Sequence, residues 1–324
     1  MIEVLVIGGG KGQSALLRGL KDVEGINISA IVTVADDGGS TGRLREDFDL
    51  PAMGDVRNVL LSLAESESQL NKVMDYRFET DSRSELAGHS LGNLILTALT
   101  EIEGNFMSAI GSMSKILNVE GDIIPASTDI ITLCAKMKDG TIVRGESNIP
   151  MYKNSIESVF YDEHVEATSQ AIEAIEKADI ILFGVGSIYT SILPNLIIPN
   201  IKKAIKKSTA KKVYYSNVMT QPGETDGYSF EDHISAIEEH ADIKLDLVVT
   251  SNDELPDNIL KKYEEESSYP VYFRNEYHHY EVLFQKLLSF DDLVIRHDHV
   301  KVKEGFYEVM EVLSCPLVVK SNTK

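Results

Sequence analysis

The first thirty-odd residues restrict the fold more than any other part of the chain. Ile2 to Ile7 is a short apolar run stopped by Gly8-Gly9-Gly10, and helical spacing resumes over Ser14 to Lys21 with Leu16, Leu17 and Leu20. Ile28 to Val34 follows as a β-branched, apolar run. Strand, glycine turn, helix and second buried strand make a βαβ unit, because parallel neighbours need a crossover between them. The chain therefore reads as an α/β protein on a parallel sheet.

The stretch from Ala35 to Gly54 holds Asp36-Asp37-Gly38-Gly39-Ser40-Thr41-Gly42, Pro51 and Gly54, so many breakers that it reads as a long functional loop. From Asp55 to about Leu117 the pattern is helical, with Asp55 as a candidate N-cap before Val59, Leu60 and Leu63. Between Ile123 and Phe160 short β-rich runs flank an Asp139-Gly140 hairpin turn, and 121–162 reads as an inserted antiparallel subdomain. Alternation then returns: helix at Val165 to Lys177, strand at Ile180 to Phe183, helix at Asn195 to Lys207 and strand at Lys212 to Ser216. Leu245 to Thr250 gives a further strand, Pro256 to Glu265 a helix, Leu293 to Ile295 a short late strand and Lys303 to Leu313 a last helix. With no linker or repeat in sight, 1–324 is expected to form a single α/β domain.

Charge narrows the partners. Thirty-one basic against 51 acidic residues leave a net charge of −20, which repels nucleic acid and anionic lipid over most of the surface. A bound phosphate must meet a local positive site. No run approaches the roughly 20 apolar residues of a membrane span, and Met1-Ile2-Glu3 leads straight into a strand, so a cytoplasmic location is expected. Cys134 and Cys315 lack C-x-x-C spacing and read as buried thiols in a reducing compartment. A homo-oligomer is expected for such a chain, but neither its symmetry nor a regulatory protein partner is written in the sequence.

Candidate ligand-binding residues gather where strands end. Gly8, Gly9, Gly10, Lys11, Gly12 and Ser14 form a turn whose backbone N–H groups and following helix N-terminus suit a phosphate. The turn is neither a P-loop nor a complete G-x-G-x-x-G, since position 13 is Gln. Asp36, Asp37, Gly38, Gly39 and Ser40 follow the second strand, where a carboxylate can take a sugar hydroxyl or a divalent ion such as Mg²⁺. Arg43, Arg45 and Arg57, near Asp55 and Asn58, offer guanidinium groups for phosphate, or else pair with Asp47, Asp49 and Asp55. His89 and Asn93 lie in His89-Ser90-Leu91-Gly92-Asn93 before a helix. Gly184, Gly186 and Ser187 repeat the strand-to-glycine turn in the second half, and Asn217, Thr220, Gln221, Glu224 and Thr225 make a loop dense in hydrogen-bonding groups after another strand. His278-His279 and His297-x-His299 lack a carboxylate or cysteine framework, so no metal is assigned there, and no hydrolase nucleophile stands out.

Taken in order, Gly8 to Gly12, Val34-Ala35-Asp36-Asp37-Gly38-Gly39-Ser40-Thr41-Gly42-Arg43-Leu44-Arg45, Gly54-Asp55-Val56-Arg57-Asn58, Gly88 to Asn93, Gly184 to Leu196 and Asn217 to Tyr228 resemble the bacterial gluconeogenesis factor (YvcK-type) family. That family is related to the 2-phospho-L-lactate transferases of the CofD-like superfamily. The resemblance implies a Rossmann-like three-layer parallel sheet with helices on both faces, alongside the helical block and small antiparallel β insertion. It further implies binding of a UDP-sugar, notably UDP-N-acetylglucosamine, and a role in cell-wall synthesis and cell shape during gluconeogenic growth, without an established reaction. The transferase branch carries Gly-Leu-x-Ile-x-Pro-Asp-x-Asp after the paired aspartates, where this chain reads Gly38-Gly39-Ser40-Thr41-Gly42-Arg43. Ala52-Met53-Gly54-Asp55 also departs from the expected Pro-Pro-Gly-Asp.

Two functions thus stand side by side: a nucleotide-sugar-binding regulatory protein, and a phospholactyl-type transferase using a nucleoside-diphosphate-linked donor. A third, NAD-dependent oxidoreduction, lacks both the complete glycine fingerprint and a hydride-transfer constellation.

Overall fold

The computed structural model describes residues 1–65, 69–81, 83–274 and 276–314. β1 (Ile2–Gly8), α1 (Gly10–Leu20) and β2 (Ile26–Val32) form the opening βαβ unit. A helical block follows: α2 (Gly39–Phe48), α3 (Gly54–Leu63), α4 (Gln69–Asp75), α5 (Leu91–Glu103) and α6 (Phe106–Leu117), leading into β3 (Asp122–Pro125). β4 (Leu133–Met137), β5 (Ile142–Arg144) and β6 (Ile156–Tyr161) come next. Alternation returns with α7 (Ser169–Lys177), β7 (Ile180–Phe183), α8 (Leu193–Leu196), α9 (Pro199–Lys207), β8 (Lys211–Tyr215), α10 (Phe230–Ala241), β9 (Leu247–Ser251), α11 (Asp257–Glu265) and β10 (Glu281–Gln285). The short pair β11 (Leu288–Ser289) and β12 (Arg296–His297) precedes α12 (His299–Val312).

Seven strands make one parallel sheet in the order β10-β9-β8-β7-β1-β2-β3. The chain moves outward from β1 through β2 to β3, then crosses back and leaves in the opposite direction from β7. Since parallel crossovers are right-handed, the two directions put their helices on opposite faces. α1 packs with α3 and α12, and α7 with α9. Strands covered on both faces must be apolar throughout, and all four residues of β7 are buried, as are Val4 to Gly8 of β1. The order reverses between β1 and β7, and a sheet of this kind opens a crevice at the carboxyl ends of the strands flanking such a reversal.

Gln13, which breaks the dinucleotide fingerprint, has a structural task. Its fully buried side chain donates from Nε2 to the Val6 carbonyl at 3.1 Å and the Ile31 carbonyl at 2.9 Å, stitching α1 to both β1 and β2. A third glycine normally gives close helix–strand packing at this place; here an amide holds the helix instead.

Several sequence expectations are corrected. Ala35 to Gly54 is not one long loop, because Gly39–Phe48 forms α2. Its apolar positions are too sparse to show helical periodicity, but Leu44 and Arg45 are buried and hold it down. Arg45 donates to the carbonyls of Asp36 at 2.9 Å and Ile131 at 2.6 Å. The antiparallel sheet comprises β4, β5 and β6, whereas Asp122–Pro125 pairs in parallel with β2 as the edge of the main sheet. Leu293 to Ile295 is not a strand: Asp291–Leu293 is a short 3-10 turn and the strand lies at Arg296–His297. α10 and β10 carried no recognised signal, and Cys315 lies outside the described residues.

Candidate functional site at the strand carboxyl ends

Glycine lets the elements around the β1–β7 crevice approach one another. A Cβ on Gly12 would stand 2.2 Å from the Val185 carbonyl oxygen, so α1 lies directly against the turn that follows β7. A Cβ on Gly9 would meet the Asp55 carboxylate and the Thr33 methyl group, both at 2.6 Å. Gly10 has φ +66, a left-handed conformation open to glycine, and its N–H is donated to the Asp55 carboxylate. Asn195 donates from Nδ2 to the Gly8 carbonyl at 3.0 Å, fixing the end of β1. Ser14 bonds back to the Gly10 carbonyl within α1, and Lys11 is exposed at the start of the same helix.

Three helix N-termini converge here. α1, α2 and α3 begin at Gly9, Gly38 and Met53 without a side-chain cap, as do α8, α9 and α11, whereas α5, α6, α7, α10 and α12 are capped by Ser90, Asn105, Thr168, Ser229 and Asp298. Uncapped first-turn N–H groups and the positive end of the helix dipole favour an anion.

The structure sorts the predicted residues by task. Asp36 accepts the Gly38 N–H at 2.9 Å and keeps its other oxygen toward Gly54 at the start of α3. Asp37 turns away: its carboxylate accepts the N–H groups of Glu146 and Ser147 at 3.0 and 2.9 Å, anchoring the 3-10 turn Glu146–Met151. Ser40 meets His89 Nδ1 at 3.1 Å, both buried, while the exposed Arg43 donates to the Ala87 carbonyl. Burial and the Arg43 charge hold His89 below the usual histidine range. Ser187 caps the helical turn that follows it and donates to Glu224, which also accepts from Gln221 at 2.5 Å. Asn217 donates to the Gly186 carbonyl at 2.9 Å, and Thr225 accepts the Gln221 N–H at 2.8 Å. Thr220 is spent on bonds to residues 268 and 269. Gly39, at φ +46, has open space around it, and Gly184, at φ +93, packs against the Tyr215 carbonyl.

Arg57 stands apart. Its side chain is buried and donates to Asn58 Oδ1 at 2.5 Å, with Asp75 at 3.7 Å, yet Nε and one terminal nitrogen have no partner. The Oδ1 of Asn93, buried in the first turn of α5, is also without a partner. Burial lowers the Arg57 pKa from its ordinary value. A guanidinium holding unspent buried donors is costly unless a further acceptor meets it.

The sequence reading missed Glu146. It arrives on the small antiparallel sheet's connecting turn, far in sequence from the glycine motifs, and no periodicity marks it. Burial, then the charges of Asp36, Glu224, Asp37 and Asp55, push its carboxyl up to about 8. Burial and Asp36 raise Asp55 to about 7, and burial raises Glu224 to about 7 against the pull of its hydrogen bonds. Among the described residues no group of three or more His, Cys, Asp or Glu side chains has metal-holding geometry.

The comparisons agree with this architecture. The model of the family described as 2-phospho-L-lactate transferase CofD matches residues 4–288. A protein of Halalkalibacterium halodurans named gluconeogenesis factor is 47% identical over 94% of this chain and 96% of its own length. A gluconeogenesis factor of Bacillus subtilis is 46% identical over 95% of this chain and 98% of its own. A crystal structure of a member of the UPF0052 family from Bacillus halodurans superposes with a TM-score of 0.89 at 46% identity, covering 94% of this chain and 99% of that one. With a seven-stranded parallel sheet of matching fold and full-length similarity, the chain belongs to the CofD family and, within it, to the gluconeogenesis factors.

Proposed function

We propose that the crevice binds a nucleotide sugar of the UDP-N-acetylglucosamine type and that the protein acts in the cytoplasm as a regulator rather than by turnover. The observation that carries this reading is the buried Arg57 guanidinium with two unspent donor atoms, on the first turn of α3 and packed against Gly92 at the start of α5, two residues from the Asp55 that meets the Gly9–Gly10 turn. Charge-assisted bonds from such a group to a diphosphate are worth about 1.5–3 kcal/mol each. The starts of α1, α2 and α3 supply further first-turn donors beyond the Gly10 and Gly38 N–H groups already taken by Asp55 and Asp36. Near pH 7 Glu146, at about 8, is mostly protonated and Asp55 and Glu224, at about 7, are each about half protonated, which lessens the repulsion an anion would meet in so acidic a chain. Asp36, with one oxygen uncommitted to its own turn, suits a sugar or ribose hydroxyl.

Titration calorimetry with UDP-N-acetylglucosamine tests the reading. Binding below millimolar concentration is expected, weakened at least tenfold by Arg57→Gln, since 1.4 kcal/mol is a factor of ten. Absence of binding, or equal affinity in Arg57→Gln and Gly10→Asp, overturns it. The cellular side of the proposal is a part in cell-wall synthesis and cell shape during growth on gluconeogenic carbon; the relatives' name, gluconeogenesis factor, supports the link to gluconeogenesis. Loss of the gene should deform cells on such carbon, and Arg57→Gln should fail to restore them.

One observation favours a second reading. Carboxyls near 7 at a cleft are suited to general acid or base work, and Asp55 and Glu224 are two such groups. Turnover of a nucleoside-diphosphate-linked phospholactyl donor with a deazaflavin acceptor, lost in Asp55→Asn, would replace regulation by group transfer.

A further inference from the structure

A second concavity lies away from the crevice, at the β3 edge of the main sheet. About 690 Å³ in volume, it is walled by one stripe of α6 (Met107, Ile110, Gly111 and Ser114) and one stripe along α7 and its C-cap, in which Ala174 and Ala178 stand among Gln170, Glu173 and Lys177. Both stripes follow i, i+3, i+4 spacing, so each helix turns a single face inward. β3 lines it at Asp122, Ile123 and Ile124, and it runs inward along Ser29 of β2 to Glu3, Val4 and Leu5 of β1.

β3 is the last strand of the sheet, and its register shows which of its peptide groups are unspent. The Ala126 N–H bonds to Val32, so in the parallel ladder the peptide groups of Ile124 face β2 and those of Ile123 face away from it. The outward Pro125 carbonyl is taken by the Thr168 hydroxyl at 2.9 Å, and Pro125 has no N–H to offer. The open edge is therefore confined to the residues that line the groove. The rim is acidic: Glu3, Asp122 and Glu173 stand against one lysine, Lys177, which is already 3.5 Å from Glu173.

We propose that this groove docks an extended, apolar segment of a partner protein bearing basic side chains, added as an eighth strand beside β3. An open strand edge between two helix faces binds backbone to backbone, with alternate side chains lodged against the walls. The net negative rim selects for a cationic partner. Natural sheets cover or charge their edges; here the edge is sunk between an apolar α6 wall and an α7 wall that carries Gln170, Glu173 and Lys177 beside its alanines, so alternate side chains of an added strand meet an apolar and a polar side.

Gly111 gives a clean test. It lies within α6, nothing stands within 4 Å of a Cβ placed on it, and it lines the groove. Gly111→Leu therefore fills the groove without straining the fold. The probe is a capped Val-Lys-Val-Lys-Val-Lys-Val peptide, read by fluorescence polarisation and by exchange protection of the Ile123 amide. Saturable binding with protection of that amide is expected. At least tenfold loss is expected in Gly111→Leu and for a peptide N-methylated on alternate residues, and weaker binding for the Glu-substituted peptide. No protection of Ile123 up to millimolar peptide, or equal binding by Gly111→Leu or by the N-methylated peptide, overturns the proposal. So does a dimer of the unliganded protein in sedimentation that Gly111→Leu converts to monomer, since a second copy then occupies the groove.

Discussion

Replacing Gly12 by alanine adds one methyl group where α1 meets the turn after β7. The new carbon would stand 2.2 Å from the Val185 carbonyl oxygen, 2.6 Å from its carbon and 2.9 Å from the Gly186 nitrogen. Ordinary contact begins near 3.4 Å, so the shortfall to the oxygen is 3.4 − 2.2 = 1.2 Å, and every atom in the way is backbone. No side chain can rotate aside; α1 or the strand turn must move. Overpacking of this kind costs about 1–3 kcal/mol, and with backbone on both sides the upper end applies. Alanine recovers about 1 kcal/mol of helix propensity over glycine, leaving a net loss of about 2 kcal/mol. Gly111→Ala is the matched control, because α6 offers open space there and only the propensity gain of up to about 1 kcal/mol remains. The two variants should differ by about 3 kcal/mol. With a urea slope of about 3 kcal/mol per molar, circular dichroism should find the Gly12→Ala midpoint about 1 M below that of Gly111→Ala. A Gly12→Ala midpoint at or above the wild type refutes the argued contact between α1 and the second glycine turn.

Stability should also respond to pH. Asp55, Glu146 and Glu224 have folded values of about 7, 8 and 7 against ordinary values of 3.8, 4.5 and 4.5, so between these limits the native state binds more protons than the unfolded chain. Their contribution is complete below about pH 4 and is lost as pH rises through 7 to 8; urea midpoints should fall from pH 5 to pH 8, and the triple variant Asp55→Asn, Glu146→Gln, Glu224→Gln should flatten that fall. Asp37→Ala removes the acceptor for two N–H groups that fix the turn carrying Glu146; a loss of about 2 kcal/mol in chemical denaturation is expected, together with weaker nucleotide-sugar binding by calorimetry.

Much of the fold was legible because it is local. The βαβ start, the glycine turn and the alternation after Val165 depend on period, breakers and short apolar runs, which act over a few residues. The glycines at 9, 10 and 12 were readable as a turn, but their reasons were not: Gly9 makes room for Asp55 and Thr33, and Gly12 for Val185. α2 escaped notice because Arg45, rather than an apolar stripe, secures its inner face. β10 escaped because it is a half-exposed edge strand without alternation of its own.

The sequence by itself determined that the protein is a parallel α/β chain with glycine turns at two strand ends and polar loops beside them. Only the tertiary structure decided which of those residues share one cleft. It sent Asp37 to hold a distant turn, brought Glu146 in from the small antiparallel sheet and left Arg57 buried with donors unspent. The physical reason is that burial and charge coupling arise between segments far apart in the chain. A carboxyl at about 8 belongs to its surroundings, and no residue carries its surroundings in its own neighbourhood of sequence.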